Sequence, residues 1–208
     1  MTTQNLFNLT KSDFTNNILD IYELATMDEI EQGFDWYSDA KSTMQTIADE
    51  CKLPLHIVTG VCAALSPTNK WSQNVRDTRA LCMAFISGGY QEDVKCCTYN
   101  TMKDKAWNIM QTMPHNNDDT AFILRGPKIT DFFYGIMGDK SRCVIDGHAW
   151  CIANNDRRTM QEVPNIGKGL RAQLQAAYYD AGESVGMPAY VMQAATWVAW
   201  RRMHGVKG

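Results

Sequence analysis

From Leu55 to Leu65 the chain reads Leu-His-Ile-Val-Thr-Gly-Val-Cys-Ala-Ala-Leu, without a single Asp, Glu, Lys or Arg. Pro54 suits the first turn of a helix, and Ser66-Pro67-Thr68-Asn69 is a polar turn that stops one. Ile57, Val58, Val61, Ala64 and Leu65 give that helix an almost wholly apolar body, so it is expected to be the most buried element of the fold.

Apolar residues recur at helical spacing in the rest of the chain. Trp36, Ala40, Met44, Ile47, Ala48 and Cys51 predict an amphipathic helix over Trp36–Cys51, after an acidic run, Asp28 to Glu31, that ends at Gly33. Further helices are expected over Asn16–Ala25, Trp71–Ile86, Tyr99–Met113 with Thr98 as N-cap, His148–Ala153 and Ile166–Ala181, with a last one from Met187-Pro188 to Met203. His115–Asp119 and Asn154–Pro164 read as turn and loop. No run alternates as a strand does, so the expected class is all-α. The lobes are placed at about 54–146, a helical barrel, and at 1–53 plus 147–208.

Seven cysteines make an odd count, with no Cys-x-x-Cys pair and no zinc-like His/Cys spacing, which fits a reducing, cytoplasmic setting without metal. The first residues are too polar for a secretory leader, and no apolar run reaches membrane-spanning length. The net charge of −3 is unevenly spread. Residues 125–208 carry eleven Lys/Arg against seven Asp/Glu, and residues 1–124 carry nine against sixteen. The basic surplus lies in the half that holds the chemically capable groups, as expected where one face meets phosphate.

Those groups lie between Leu124 and Cys151. A turn at Arg125-Gly126-Pro127 delivers Lys128 to a short apolar helix, and a second turn, Gly138 to Arg142, brings the chain back as Cys143-Val144-Ile145 before Asp146. Taken alone, Lys128 is a solvated residue at a helix start, where the macrodipole opposes a cation, and Asp146 is an N-cap. An amine desolvated in that position would become nucleophilic.

Together these residues resemble the helix-hairpin-helix DNA glycosylase superfamily, which includes endonuclease III and the 8-oxoguanine glycosylases. The likeness is carried by Leu124-x-Gly126-x-Lys128-Ile129-x-Asp131 and then Val144-Ile145-Asp146-Gly147-His148-Ala149-Trp150. Ala64 to Asn69, Tyr99-Asn100 with Lys105-Ala106 and Ile109, and Gln193 with Trp197 are similar to further segments in the same order. The resemblance implies a two-lobed fold with its active site in the interlobe cleft, and double-stranded DNA carrying a damaged or modified base as partner. It implies no membrane, no cofactor and no obligate protein partner, in a cytoplasmic bacterial or viral-in-host location.

Lys128 would attack C1′ of a flipped nucleotide and form a Schiff base, and Asp146 would stabilise the cationic sugar. His148 would bind phosphate, Asn69 or Thr68 would fill the gap in the duplex, and Gln193 and Trp197 would hold the base. The favoured substrate is an oxidised purine, 8-oxoguanine foremost, with a base peculiar to a virus or its host as the second choice. The alternatives are a monofunctional glycosylase using Asp146 alone and a non-catalytic DNA-binding module. The chain departs from the family at its hairpin, two residues shorter, where Pro127 offers no N–H and Arg125 is expected to replace part of the grip. Phe132 makes the base pocket bulkier, and the iron–sulfur cysteines of endonuclease III are absent.

Overall fold

In the computed structural model, which describes residues 9–205, there are ten α-helices and a 3-10 turn at Gln91–Asp93, and the described residues contain no strand. In chain order the helices are α1 (Lys11–Glu23), α2 (Met27–Cys51), α3 (Leu55–Leu65), α4 (Trp71–Ile86) and α5 (Asn100–Thr112). They continue as α6 (Asn117–Leu124), α7 (Pro127–Met137), α8 (Gly147–Asn154), α9 (Lys168–Ser184) and α10 (Ala189–Met203). The expected all-α class holds. No helix among the described residues is long and apolar enough to cross a membrane.

The chain divides into two units. The described residues up to Trp36 and from Lys140 onward form one, the terminal unit, and Tyr37–Asp139 form the other, the inserted unit. These boundaries differ from those expected near 54 and 146. The return segment moves to the terminal unit because Cys143 and Ile145 are buried there with Phe14, Trp150 and Tyr178. The later half of α2 joins the inserted unit, where Tyr37 packs on Gly135 and Lys41 Nζ donates to Met137 O at 3.1 Å.

In the inserted unit, every residue of α3 from Ile57 to Leu65 is buried, and α4, α5, α6 and α7 all pack against it. Burying side chains such as Ile57, Val58, Val61 and Leu65 contributes about 1.5–3 kcal/mol apiece. Gly60 allows the approach of α6, since a Cβ there would lie 2.5 Å from Thr120 Cγ2. Asn74 of α4 donates to Cys62 O at 3.1 Å, and burial pushes the Cys62 thiol up to about 12. Buried thiols of this kind are packing groups.

In the terminal unit, α1, α8, α9 and α10 enclose one apolar core. Thr10 and Asp13 form a capping box at the start of α1, which begins at Lys11, ahead of the expected Asn16. Gly33 lies inside α2 and ends nothing. A Cβ there would stand 2.6 Å from Ala195 N of α10, so the two helices meet backbone to backbone. Nearby, Arg202 Nε donates to Glu29 Oε1 at 2.7 Å and Nη2 to Leu24 O at 2.8 Å. The Arg202 bond to its carboxylate is the main cause that holds Glu29 below the usual glutamate range.

Two other expectations need correction. Thr98 does not cap α5, whose N-cap is Tyr99, because its hydroxyl donates to Pro67 O at 2.8 Å. The segment expected as a turn at His115–Asp119 already contains the start of α6, capped by Asn116.

Gly33→Ala is expected to cost about 1–3 kcal/mol by overpacking and to lower the melting temperature by several degrees. Gly169→Ala in α9, where an added Cβ meets nothing within 4 Å, is expected to be neutral or to stabilise by up to about 1 kcal/mol. The lowered pKa of Glu29 means its stabilisation is full above the ordinary glutamate value of about 4.3 and fades as the pH falls through the lower folded value. Thermal unfolding across that acid range should therefore show a steeper loss for the native chain than for Glu29→Gln.

Candidate functional site

The inserted unit presents the hairpin α6–α7. Arg125 closes α6 in the left-handed region, with φ 59°, and its N–H donates to Ala121 O at 3.1 Å. Gly126 N donates to Leu124 O at 2.8 Å, and Pro127 opens α7 without an N–H. The turn itself therefore keeps no spare donor. The N–H groups of Lys128 and Ile129, at the first turn of α7, are the ones with no partner among the described residues. Any backbone grip on an anion moves to those two.

Lys128 is half-buried and makes no hydrogen bond or ion pair among the described residues. It opposes the α7 macrodipole, so its place does nothing for helix stability. Lys105 of α5 is the cation that does, donating to Leu124 O at 2.5 Å and neutralising the end of α6. Burial, and after it the neighbouring Arg125, lowers the Lys105 pKa. Arg125 is exposed, with its guanidinium 5.1 Å from the Phe122 ring centre. Gly126 is half-buried, and a Cβ there would press on Ile129 at 3.2 Å. Phe132, one turn after Lys128, meets Trp71 edge to face at 6.5 Å.

At the turn after α3, Thr68 is exposed with φ 61°, while Asn69 points inward. Asn69 Nδ2 donates to Asp77 Oδ2 at 2.9 Å, and Asn69 Oδ1 is buried. The Asp77 carboxylate, itself buried, also accepts from Gln73 Nε2 at 2.6 Å and Cys97 N at 2.8 Å. Asn69 is thus a brace of the turn and Thr68 its projecting residue.

The terminal unit holds the remaining candidates. Asp146 Oδ1 accepts from Ala149 N at 2.9 Å as N-cap of α8, and no bond at Oδ2 is recorded among the described residues. The segment leading to it is fixed by α9. Arg171 Nη1 donates to Ile145 O at 2.9 Å, Gln175 Nε2 to Cys143 O at 3.0 Å, and Tyr179 Oη to Ser141 O. Four residues of helix rise about 6.0 Å and two extended residues span about 6.6 Å, so donors four apart meet carbonyls two apart.

His148 is half-buried, and its Nδ1 is buried without a hydrogen-bond partner. Gln193 is buried at 7% exposure. Trp197 meets Trp36 edge to face at 6.2 Å and carries the Arg201 guanidinium 4.4 Å above its ring. Lys128, Arg125, Gly126, Phe132, Thr68 and Asn69 thus belong to the inserted unit, and Asp146, His148, Gln193 and Trp197 to the terminal one.

The profile of DUF7178, a family of unknown function, matches residues 1–204. The chain belongs to that family. No curated protein and no solved structure matches it. In this DUF7178 chain, no group of three or more His, Cys, Asp or Glu among the described residues is arranged to hold a metal ion. Sequence reasoning missed the Arg171, Gln175 and Tyr179 clamp and the Asp77 brace. The spacing of the first three at i, i+4 and i+8 was the available signal.

Asp146→Ala is expected to destabilise the fold by about 0.5–2 kcal/mol through loss of the cap, whereas Asp146→Asn, also a good cap, stays within a few tenths. Chemical denaturation of both variants checks this. It also makes Asp146→Asn the substitution that separates charge from structure.

Proposed function

We propose that the chain is a bifunctional DNA glycosylase with AP-lyase activity. The observation that carries the proposal is Lys128, a half-buried amine without a partner among the described residues, at the first turn of the second helix of a helical hairpin. The resemblance of the segments around Lys128 and Asp146 to helix-hairpin-helix glycosylases supports it.

The reaction requires a nucleotide swung out of the duplex, because the glycosidic bond is inaccessible inside the stack. The Lys128 nitrogen attacks C1′ through its lone pair while the bond to the base breaks, and the electron pair of that bond leaves with the base, which takes up a proton. The secondary amine opens the sugar to a Schiff base, and loss of a C2′ proton expels the 3′ phosphate by β-elimination. Asp146 Oδ2 faces the positive charge that develops on the sugar, while Oδ1 stays committed to Ala149. His148 and the unpartnered N–H groups of Lys128 and Ile129 bind backbone phosphate. Thr68 fills the space the nucleotide vacates. Gln193 and Trp197 hold the base, and the favoured base is an oxidised purine, 8-oxoguanine foremost.

A monofunctional glycosylase is the second reading, favoured by the same unpartnered N–H groups, which suit Lys128 to a phosphate contact. Borohydride trapping on duplexes carrying a panel of lesions decides between them. The native chain is expected to form a covalent adduct and Lys128→Gln none. Asp146→Asn is expected to slow base release by about 10²–10³-fold, the usual loss on removing one preorganised charge-stabilising group, while DNA binding persists. Base release without an adduct selects the monofunctional enzyme, and binding without base release removes the enzyme altogether.

A further inference from the structure

Between α5 and α6 the inserted unit carries an open groove of about 760 Å³. Of the residues given a role above as catalytic or DNA-contacting, Arg125 is the one that lines it. α5 runs out to Thr112 and α6 runs back from Asn117, so the groove has a hairpin end and a turn end. Lys105 and Arg125 stand at the hairpin end, and neither is paired with a carboxylate among the described residues. Asp104 at the same end is engaged by Gln91 Nε2 at 2.5 Å. Midway along, Phe122 is 70% exposed, with the Arg125 guanidinium near its ring and the Asn108 amide on the facing helix.

The residues that close the two helices stand at opposite ends of this groove. Met113 closes α5 with φ 47° and Arg125 closes α6 with φ 59°, a region where glycine is the less strained residue. Both residues line the groove. A helix end alone would favour no side chain at either position.

The groove is also lined by Asp119, but Lys105 and Arg125 form no ion pair among the described residues, and two such cations beside a solvent-facing aromatic ring match a phosphate and a flat heterocycle carried on one ligand. We propose that the α5–α6 groove binds one nucleotide unit, its phosphate between Lys105 and Arg125 and its base on the face of Phe122 away from Arg125. Asn108 lies within the same groove to meet the base edge. A free mononucleotide and one residue of a nucleic-acid strand offer the same chemistry. The site does not depend on Lys128 or Asp146, so failure of the trapping experiment leaves it standing, and its own failure leaves the glycosylase proposal standing.

The test is titration of the full chain with dAMP, followed by amide NMR. Saturable shifts are expected at Lys105, Phe122 and Arg125. Deoxyadenosine and inorganic phosphate should each bind roughly tenfold more weakly or worse, a loss of about 1.4 kcal/mol. Phe122→Ala, at an exposed position, should weaken dAMP by about 5- to 150-fold, the range for one stacked base. Arg125→Gly suits the left-handed backbone and so keeps the fold, and should reduce dAMP affinity to that of deoxyadenosine. A single-stranded deoxyadenosine oligomer that shifts the same residues and binds more tightly than dAMP assigns the groove to a strand, and equal or weaker binding assigns it to the free nucleotide. Absence of saturable shifts with both ligands, or affinities unchanged in both variants, overturns the proposal.

Discussion

A helix with no polar face cannot stand in water, and the rest of the inserted unit follows from that constraint. α3 is buried from Ile57 to Leu65, and α4 to α7 supply its cover. Covering α3 with short helices requires sharp reversals between them, and two of those reversals use residues in the left-handed region, Met113 and Arg125. Lys105 then crosses from α5 to the carbonyl end of α6, so the hairpin is held by a charge directed at a helix terminus. The hairpin that presents Lys128 is a by-product of wrapping one apolar rod.

Most of this was legible because apolar periodicity reports burial directly. α4 begins and ends at the residues its spacing predicts, and α3 lies between Pro54 and Ser66 as its composition requires. The start of α2 was not legible. Asp28 to Gly33 reads as acidic punctuation, yet the helix passes through it, because the bare Cα of Gly33 is what lets α10 come close. Glycine propensity is a local penalty of about 1 kcal/mol, and a close helix contact outweighs it. α6 was hidden for a related reason, since Asn116 and the aspartates that follow read equally well as a turn or as the capped start of a helix.

The candidate site was legible only where chemistry and position coincide. Lys128 attracts notice because a cation is out of place at a helix start, and the structure gives it no structural partner among the described residues to explain it. Asp146 shows the opposite. Its capping bond to Ala149 is real, so one oxygen is structural and the other remains for further use. The bracing role of Asn69 was not legible, because a polar turn residue looks solvent-facing from sequence alone. Its partner Asp77, eight residues on, was invisible as a buried acceptor until the fold placed it.

The three side chains of α9 that hold Ser141, Cys143 and Ile145 make that helix a ruler. One residue inserted between Arg171 and Gln175 would turn Gln175 and Tyr179 by about 100° around the helix axis and detach them together from Cys143 and Ser141. The irregular stretch from Asn155 to Gly167 carries no such metering. A change of chain length there leaves the α9 donors in register, so the spacing within α9, more than the identity of its surface residues, keeps the acid in place.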